Sequence, residues 1–199
     1  MLSVQVHPSD DRASLLPEGE SGKTEAWVVL QAEAGSRIYA GLKPGVTADE
    51  LRTLSARNAD DRLPTFAPRA GDGVFIKAGT VHSLGGGVSV FEIQENSDVT
   101  FRLYDWDHID PRTGKERPLQ VEQALVSVDF AQGIVKPVTA RAASSRRELM
   151  FDCRHFRLWR MRDSAPFKVG AADEPRVLVC VDSAAALQVR RSSSGHRGP

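Results

Sequence analysis

Gln5 and His7 stand two residues apart in a segment, residues 1–7, where Leu2, Val4 and Val6 alternate with Ser3, Gln5 and His7. Side chains two apart on a strand leave the same face, so Ser3, Gln5 and His7 share one side and the aliphatic row shares the other. Polar residues on one strand face are ordinarily just solvated, but two further segments argue for more. Glu25 opens the run Ala26-Trp27-Val28-Val29-Leu30. An unpaired carboxylate in a central strand would be costly to bury, and a metal ion would offset that cost. His82 ends a run from Gly71 in which a glycine turn, a strand and a second glycine turn at Gly79 aim one imidazole back at a sheet. Two imidazoles, one carboxylate and one amide oxygen make a donor set with a single net negative charge. Such a set suits zinc or a similar divalent ion, with room for water or substrate oxygens. An ion so weakly neutralised remains an effective Lewis acid.

The elements that would position these residues read mainly as strands. Beyond residues 1–7, β-branched and aromatic runs at 24–32, 37–40, 73–77, 88–94 and 99–104 are separated by Gly, Pro, Asn and Asp clusters, the pattern of an all-β sandwich or barrel. Thr47-Ala48-Asp49-Glu50 is a capping box that predicts a helix through about residue 57, and residues 119–126 carry helical spacing at Val121, Ala124 and Leu125. Within 99–104, alternation places Thr100, Arg102 and Tyr104 on one face and Val99, Phe101 and Leu103 on the other. Residues 155–161 and 176–181 read as two further strands.

With 199 residues, 41% of them hydrophobic, the chain has material for one good core rather than two large ones. Its 26 basic and 26 acidic side chains cancel, which argues against nucleic acid or an anionic membrane as partner. The cancellation hides a division: residues 1–138 hold 14 basic and 20 acidic side chains, and residues 139–199 hold 12 and 6. No apolar run approaches the length of a membrane span, and residues 1–7 lack the basic front and apolar middle of a signal peptide, so a soluble cytoplasmic protein is expected. Cys153 and Cys180 are too few for a disulfide framework and are expected as reduced core residues. A small-residue polar stretch at 139–147 has linker character. The expected organisation is a body at 1–138 carrying the metal site, a linker at 139–150, the start of a second β domain at 151–183, and a low-complexity disordered tail at 184–199.

Four strings in this order, Leu2-Ser3-Val4-Gln5-Val6-His7-Pro8, Gly22-Lys23-Thr24-Glu25, Ala78-Gly79-Thr80-Val81-His82 and Asn96-Ser97-Asp98-Val99-Thr100-Phe101-Arg102-Leu103-Tyr104-Asp105-Trp106, closely resemble the type I phosphomannose isomerases, zinc enzymes of the cupin superfamily. Residues 71–82 also follow the second cupin motif, G-x5-P-x-G-x2-H, with Lys77 where proline is usual. The resemblance covers about residues 1–135. It is loose from 150 onward, where Phe156-Arg157-Leu158-Trp159 and Val177-Leu178-Val179 look like the first strands of that family's second cupin.

The resemblance implies an all-β cupin jelly roll with short helices and a partial second β domain. It implies one zinc ion per chain held by Gln5, His7, Glu25 and His82, and a catalytic arginine at Arg102. Lys23, Glu92 and Asp98 would line the substrate pocket, with Ser3 on the ligand face. The activity implied is interconversion of mannose 6-phosphate and fructose 6-phosphate, in which a proton leaves the carbon beside a carbonyl, an enediol is held, and the proton returns to the neighbouring carbon. Arg102 would stabilise the enediolate or grip the phosphate. The proton would travel on a carboxylate such as Glu92 or Asp98, or on hydroxide held by the metal. The family has strands before the one bearing Gln5 and His7 and a complete second cupin, so truncation at both ends is expected, with an unpaired strand edge that invites a homodimer. Two other classes stand beside this one: a non-catalytic cupin that binds a sugar phosphate, and a cupin oxygenase using iron, against which the Gln5 donor weighs.

Overall fold

The computed structural model describes residues 1–138, 140–142, 144, 147–162 and 176–181. Met1–Met161 forms one compact unit and Arg162–Pro199 another. In the first unit, eight strands build two sheets: β1 (Val4–Val6), β2 (Glu25–Ala32), β3 (Ile38–Ala40), β4 (Thr65–Phe66), β5 (Gly73–Ile76), β6 (His82–Leu84), β7 (Val88–Gln94) and β8 (Phe101–Tyr104). One sheet has the order β4-β3-β6-β1-β8 and the other β5-β2-β7, with antiparallel pairing throughout.

Period-two alternation then assigns each side chain to a layer. Trp27 and Val29 from β2, Ile38 and Ala40 from β3, and Val74 and Ile76 from β5 form one buried cluster, which is the space between the two sheets. The opposite face of the first sheet gives Val4, Val6, Tyr39 and Leu103 to a second cluster. There they meet Leu51 of α1 (Ala48–Arg52), Ala59 of α2 (Ala59–Arg62), and Ala124 and Leu125 of α3 (Val121–Ser127). The outer face of the second sheet gives Ala26 to a third cluster with Met150 and Phe151, flanked by Phe75, Ile93 and Leu158. Those partners come from a small sheet in which β12 (Arg147–Asp152) lies between β11 (Arg141–Ala142) and β13 (Arg157–Met161). A separate hairpin pairs β9 (Ile109–Asp110) with β10 (Lys115–Glu116). The body is therefore a β sandwich, with short helices over one sheet and a second, smaller sheet over the other.

Local chemistry explains where elements stop. Thr47 Oγ1 accepts the Glu50 N–H while the Glu50 carboxylate accepts the Thr47 N–H, the reciprocal cap expected at α1. The helix ends at Arg52 rather than near residue 57, because Asn58 takes the Ser55 N–H on its Oδ1 and donates from Nδ2 to Thr53 O, which turns the chain. Gly41, at φ +88°, closes a tight crossing after β3: a Cβ there would lie 2.0 Å from Gly133 O, so the position admits only glycine.

Several expectations are corrected. Val4 lies opposite Tyr104 and Gln5 opposite Arg102, so one extra residue, Leu103, bulges from β8. The bulge turns Tyr104 into the helix-side cluster beside Leu103, rather than onto the face of Arg102. Cys153 is only half-buried and Cys180 is exposed, so neither is a core residue. Residues 176–181 form no strand. The stretch expected as a linker, 139–150, contains β11 and the first part of β12, whose Met150 is buried against the second sheet. The tail expected at 184–199 lies outside the described residues, as does much of 151–183.

Candidate metal centre

β2 is the central strand of its sheet, with Glu25 paired to Ile76 on one side and Gln94 on the other. Its carboxylate points between the sheets, and the residue is 1% exposed. β1 and β6 are neighbours in the facing sheet and bring Gln5 opposite His82. Gly79 makes that register reachable. At φ +87° it turns the chain between β5 and β6, and its N–H donates to His7 O at 2.8 Å, tying the His82 turn to the strand that carries His7. Three ligand-bearing side chains, His7, Glu25 and His82, thus converge with their donor atoms within 4.8 Å of one another, and all three are buried.

The tautomers follow from the backbone. His7 Nδ1 lies 2.9 Å from Val99 O and His82 Nδ1 lies 2.8 Å from Thr80 O. A carbonyl only accepts, so each ring carries its proton on Nδ1, and a neutral ring presents a lone pair at Nε2. His7 Nε2 is 3.3 Å from Glu25 Oε2 and His82 Nε2 is 3.4 Å from Glu25 Oε1. His7 Nε2 has no hydrogen-bond partner among the described residues although it is buried. Acceptors facing acceptors in a dry interior favour a cation among them; Lys23 Nζ meets only the Glu25 side, and His7 Nε2 is left without a donor among the described residues. Imidazoles anchored through Nδ1 to carbonyls, with Nε2 directed at a carboxylate, are the arrangement in which histidine binds a metal, so the residues fit a divalent ion.

The titration behaviour is consistent with that fit. Burial pushes His82 down to about 4, against the pull of the Glu25 charge, so the ring is neutral near pH 7 and its lone pair is available. For Glu25, burial works against ionisation. It is outweighed by the contact with His7 and by the neighbouring His82, His7 and Lys23, of which Lys23 carries the standing positive charge, and together they hold the carboxyl well below its usual range.

The remaining sequence candidates divide. Ser3 is buried and its Oγ donates to Gln5 Oε1 at 3.0 Å, while Gln5 Nε2 stands 3.2 Å from His82 Nε2. Gln5 therefore borders the group with its amide nitrogen turned inward. A half-turn of the amide would exchange its two ends and present the oxygen. Lys23, also buried, places Nζ 3.2 Å from Glu25 Oε2 and 3.8 Å from Glu92 Oε1. Glu92 lies opposite Trp27 across the β2–β7 ladder. Burial and then the Glu25 charge push its carboxyl up to about 7, with Lys23 pulling the other way. Arg102, opposite Gln5, has a buried Nε without a partner and forms no ion pair among the described residues. Asp98 is not brought in. It is exposed on the connection between β7 and β8 and makes no hydrogen bond or ion pair among the described residues.

Sequence reasoning did not identify Trp27, whose ring meets His82 edge-on at 5.5 Å between centroids, nor Thr100, whose Oγ1 is 3.3 Å from His7 Nδ1. The alternation of β2 held the signal for Trp27, which shares a face with Glu25. The carbonyls of Val99 and Thr80 leave no trace in side-chain identity.

No protein-family model matches the chain. Among curated proteins, it is 32% identical over 190 residues to the mannose-6-phosphate isomerase ManA of Bacillus subtilis, a match covering 90% of this chain and 57% of that protein. It is 42% identical over 125 residues to the mannose-6-phosphate isomerase of Streptococcus mutans, covering 62% of this chain and 39% of that one. The chain thus spans 39% to 57% of the length of these relatives. Among solved structures, the mannose 6-phosphate isomerase from Bacillus subtilis superposes with a TM-score of 0.69 at 27% identity, over 79% of this chain and 51% of that one. In sequence and in fold alike, the chain is a relative of the type I mannose-6-phosphate isomerases and has their cupin architecture.

Proposed function

We propose that the chain is a zinc-dependent aldose–ketose isomerase that interconverts mannose 6-phosphate and fructose 6-phosphate through an enediol. The convergence of His7, Glu25 and His82 between the sheets, in a relative of these isomerases, carries the reading. Gln5, His7, Glu25 and His82 would hold the ion, and nitrogen and carboxylate donors of this kind suit zinc. When bound, zinc supplies Lewis-acid polarisation of a sugar oxygen, which acidifies the neighbouring C–H bond.

The chain's own groups supply the rest. Ser3 Oγ contacts the Gln5 amide and would accept from its Nε2 once the amide is turned to offer its oxygen to the ion. Lys23 neutralises Glu25 and reaches toward Glu92, so it stands where a sugar hydroxyl or phosphate oxygen would meet a cation. Isomerisation moves one proton from C2 to C1 and another from the oxygen on C2 to the oxygen on C1. Of the two carboxylates read from the sequence, Glu92 is the better carrier by position, because it stands at the edge of the buried group whereas Asp98 faces solvent at the rim. Arg102 holds a permanent cation against the developing enediolate. Purified protein reconstituted with zinc is expected to isomerise mannose 6-phosphate in a coupled assay. Zinc-loaded, folded protein without turnover would overturn the activity and leave a sugar-phosphate-binding cupin.

The outer edge of β7 pairs with no further strand among the described residues, whereas Gln120 takes the outward backbone groups of Arg102 on β8. An exposed edge offers unpaired N–H and C=O groups to another chain, and a homodimer formed through the β7 edge belongs to this reading. Light scattering of the eluting protein should give twice the chain mass, and a monomer at tens of micromolar would refute it. No helix among the described residues is long and apolar enough to cross a membrane.

A further inference from the structure

Lys23 lies in the backbone between two peptide N–H groups that are both held by carboxylates. Gly22 N–H donates to Asp10 Oδ1 at 2.8 Å, and Thr24 N–H donates to Glu95 Oε2 at 2.7 Å. The second oxygen of each carboxylate is held from one place, the turn between β12 and β13. Arg154 Nη2 pairs with Asp10 Oδ2, and His155 Nδ1 lies 2.8 Å from Glu95 Oε1. Arg154 Nε also donates to His155 Nε2 at 2.8 Å. That bond uses the Nε2 lone pair and leaves the ring proton on Nδ1, aimed at Glu95. A directional chain results, from Arg154 through His155 and Glu95 to the Thr24 N–H. Side-chain exposure falls along it from 72% at Arg154 to 22% at His155 and 11% at Glu95, so the innermost bonds are the least exposed to competition from water.

The backbone at this point has little slack. A Cβ on Gly22 would lie 2.7 Å from Asp10 N and 2.8 Å from Ser9 C, so the two segments are in direct contact. Lys23 N–H donates to Pro8 O and Glu95 N–H to Thr24 O, closing the frame around residues 22–24. Thr24 is turned away from the metal group, into a cleft of about 590 Å³ that His155, Arg154 and Glu95 also line, while Lys23 and Glu25 meet one another inside.

We infer that Arg154 and His155 are positioning residues for the candidate metal centre: through Asp10 and Glu95 they fix the backbone of residues 22–24, and with it the directions of Lys23 and Glu25. The inference rests on the metal-centre reading above. It assigns a role in that centre to a turn that lies beyond residue 150, where the resemblance to the isomerases is loose.

The test uses the full chain, zinc alone as probe, and affinity from competition with a chelator. His155→Leu keeps side-chain volume and removes the donor, and is expected to weaken zinc binding by about tenfold or more. His155→Gln keeps an N–H for Glu95 and is expected to stay within about threefold of the parent. Glu25→Gln serves as the control that removes a proposed ligand. If both His155 variants bind like the parent while Glu25→Gln loses zinc, the positioning role is overturned and the metal centre stands. If both His155 variants weaken alike, donation to Glu95 is not the cause and the inference fails. If Glu25→Gln binds like the parent, the metal-centre reading falls and the inference falls with it. Should His155→Leu not fold, Arg154→Met against Arg154→Lys poses the same contrast through Asp10, with loss in the first and retention in the second expected.

Discussion

Replacing Glu25 by glutamine is expected to lower zinc affinity by about 100-fold or more while leaving the metal-free protein folded. The two consequences have different origins. In the zinc-bound protein, Glu25 would be the only anionic ligand among otherwise neutral donors, so Glu25→Gln takes away all the formal negative charge facing the ion. In the metal-free protein the same carboxylate faces two imidazole Nε2 atoms at 3.3 Å and 3.4 Å, one of them without a hydrogen-bond partner among the described residues. An amide offers N–H groups to those lone pairs and relieves the clash. Lys23 loses its partner at 3.2 Å but keeps Glu92 at 3.8 Å, so the cost should fall short of the roughly 3–5 kcal/mol of a fully orphaned buried charge. The measurement is thermal unfolding with and without zinc. At free zinc about 100 times the parent's dissociation constant, the parent gains about 2.7 kcal/mol and Glu25→Gln, bound about 100-fold more weakly, should gain about 0.4 kcal/mol or less. A zinc-dependent rise of the parent's size in the variant would remove Glu25 from the ligand set.

Much of the centre was legible because strand periodicity ties side-chain direction to residue number. Gln5 leaves the inner face of β1 with Ser3 beside it, and Glu25 begins a strand that proves central, where an unpaired carboxylate is a signal. The capping box at Thr47 and the whole of β7 were readable for the same local reason, since side-chain identity specifies cap and alternation.

What escaped depends on partners distant in sequence. The β6 strand is only three residues long and becomes a strand by lying between β1 and β3, not by its own composition. Alternation placed Tyr104 with Arg102, and one inserted residue at Leu103 reversed that assignment, because a slip of one changes every face beyond it. The polar stretch at 139–150 suggested a linker, yet Met150 and Phe151 complete a cluster with Ala26 on the second sheet. The carbonyls that set the histidine tautomers, and the Arg154–His155 contacts behind Lys23, are likewise products of assembly.

Arg102→Ala is expected to lower kcat by about 10²–10³ with zinc content unchanged. β8 holds the residue firmly: Arg102 N–H donates to Gln120 Oε1 at 3.2 Å, and Arg102 O accepts the Gln120 N–H at 3.0 Å where α3 begins. Its Cα partner across the ladder is Gln5, which places the guanidinium on the face of the candidate ligands. Arg102 is half-buried, and its buried Nε has no acceptor among the described residues, although a buried donor ordinarily finds one. A cation held in place with unspent donors is what a developing oxyanion requires, because no reorganisation is needed when charge appears. Stabilisation confined to the transition state lowers kcat and kcat/KM together when lost, whereas a grip on phosphate in the ground state raises KM with kcat intact. The enediolate role therefore predicts the first pattern. Arg102→Lys keeps the charge but not the planar fork, and should recover part of the loss, on the order of tenfold. Zinc lost from Arg102→Ala would make the residue structural, and unchanged turnover in a zinc-loaded variant would exclude it from the chemistry. A parent chain that binds mannose 6-phosphate without turning it over would shift the whole site from catalysis to binding, and Arg102→Ala would then weaken that binding instead.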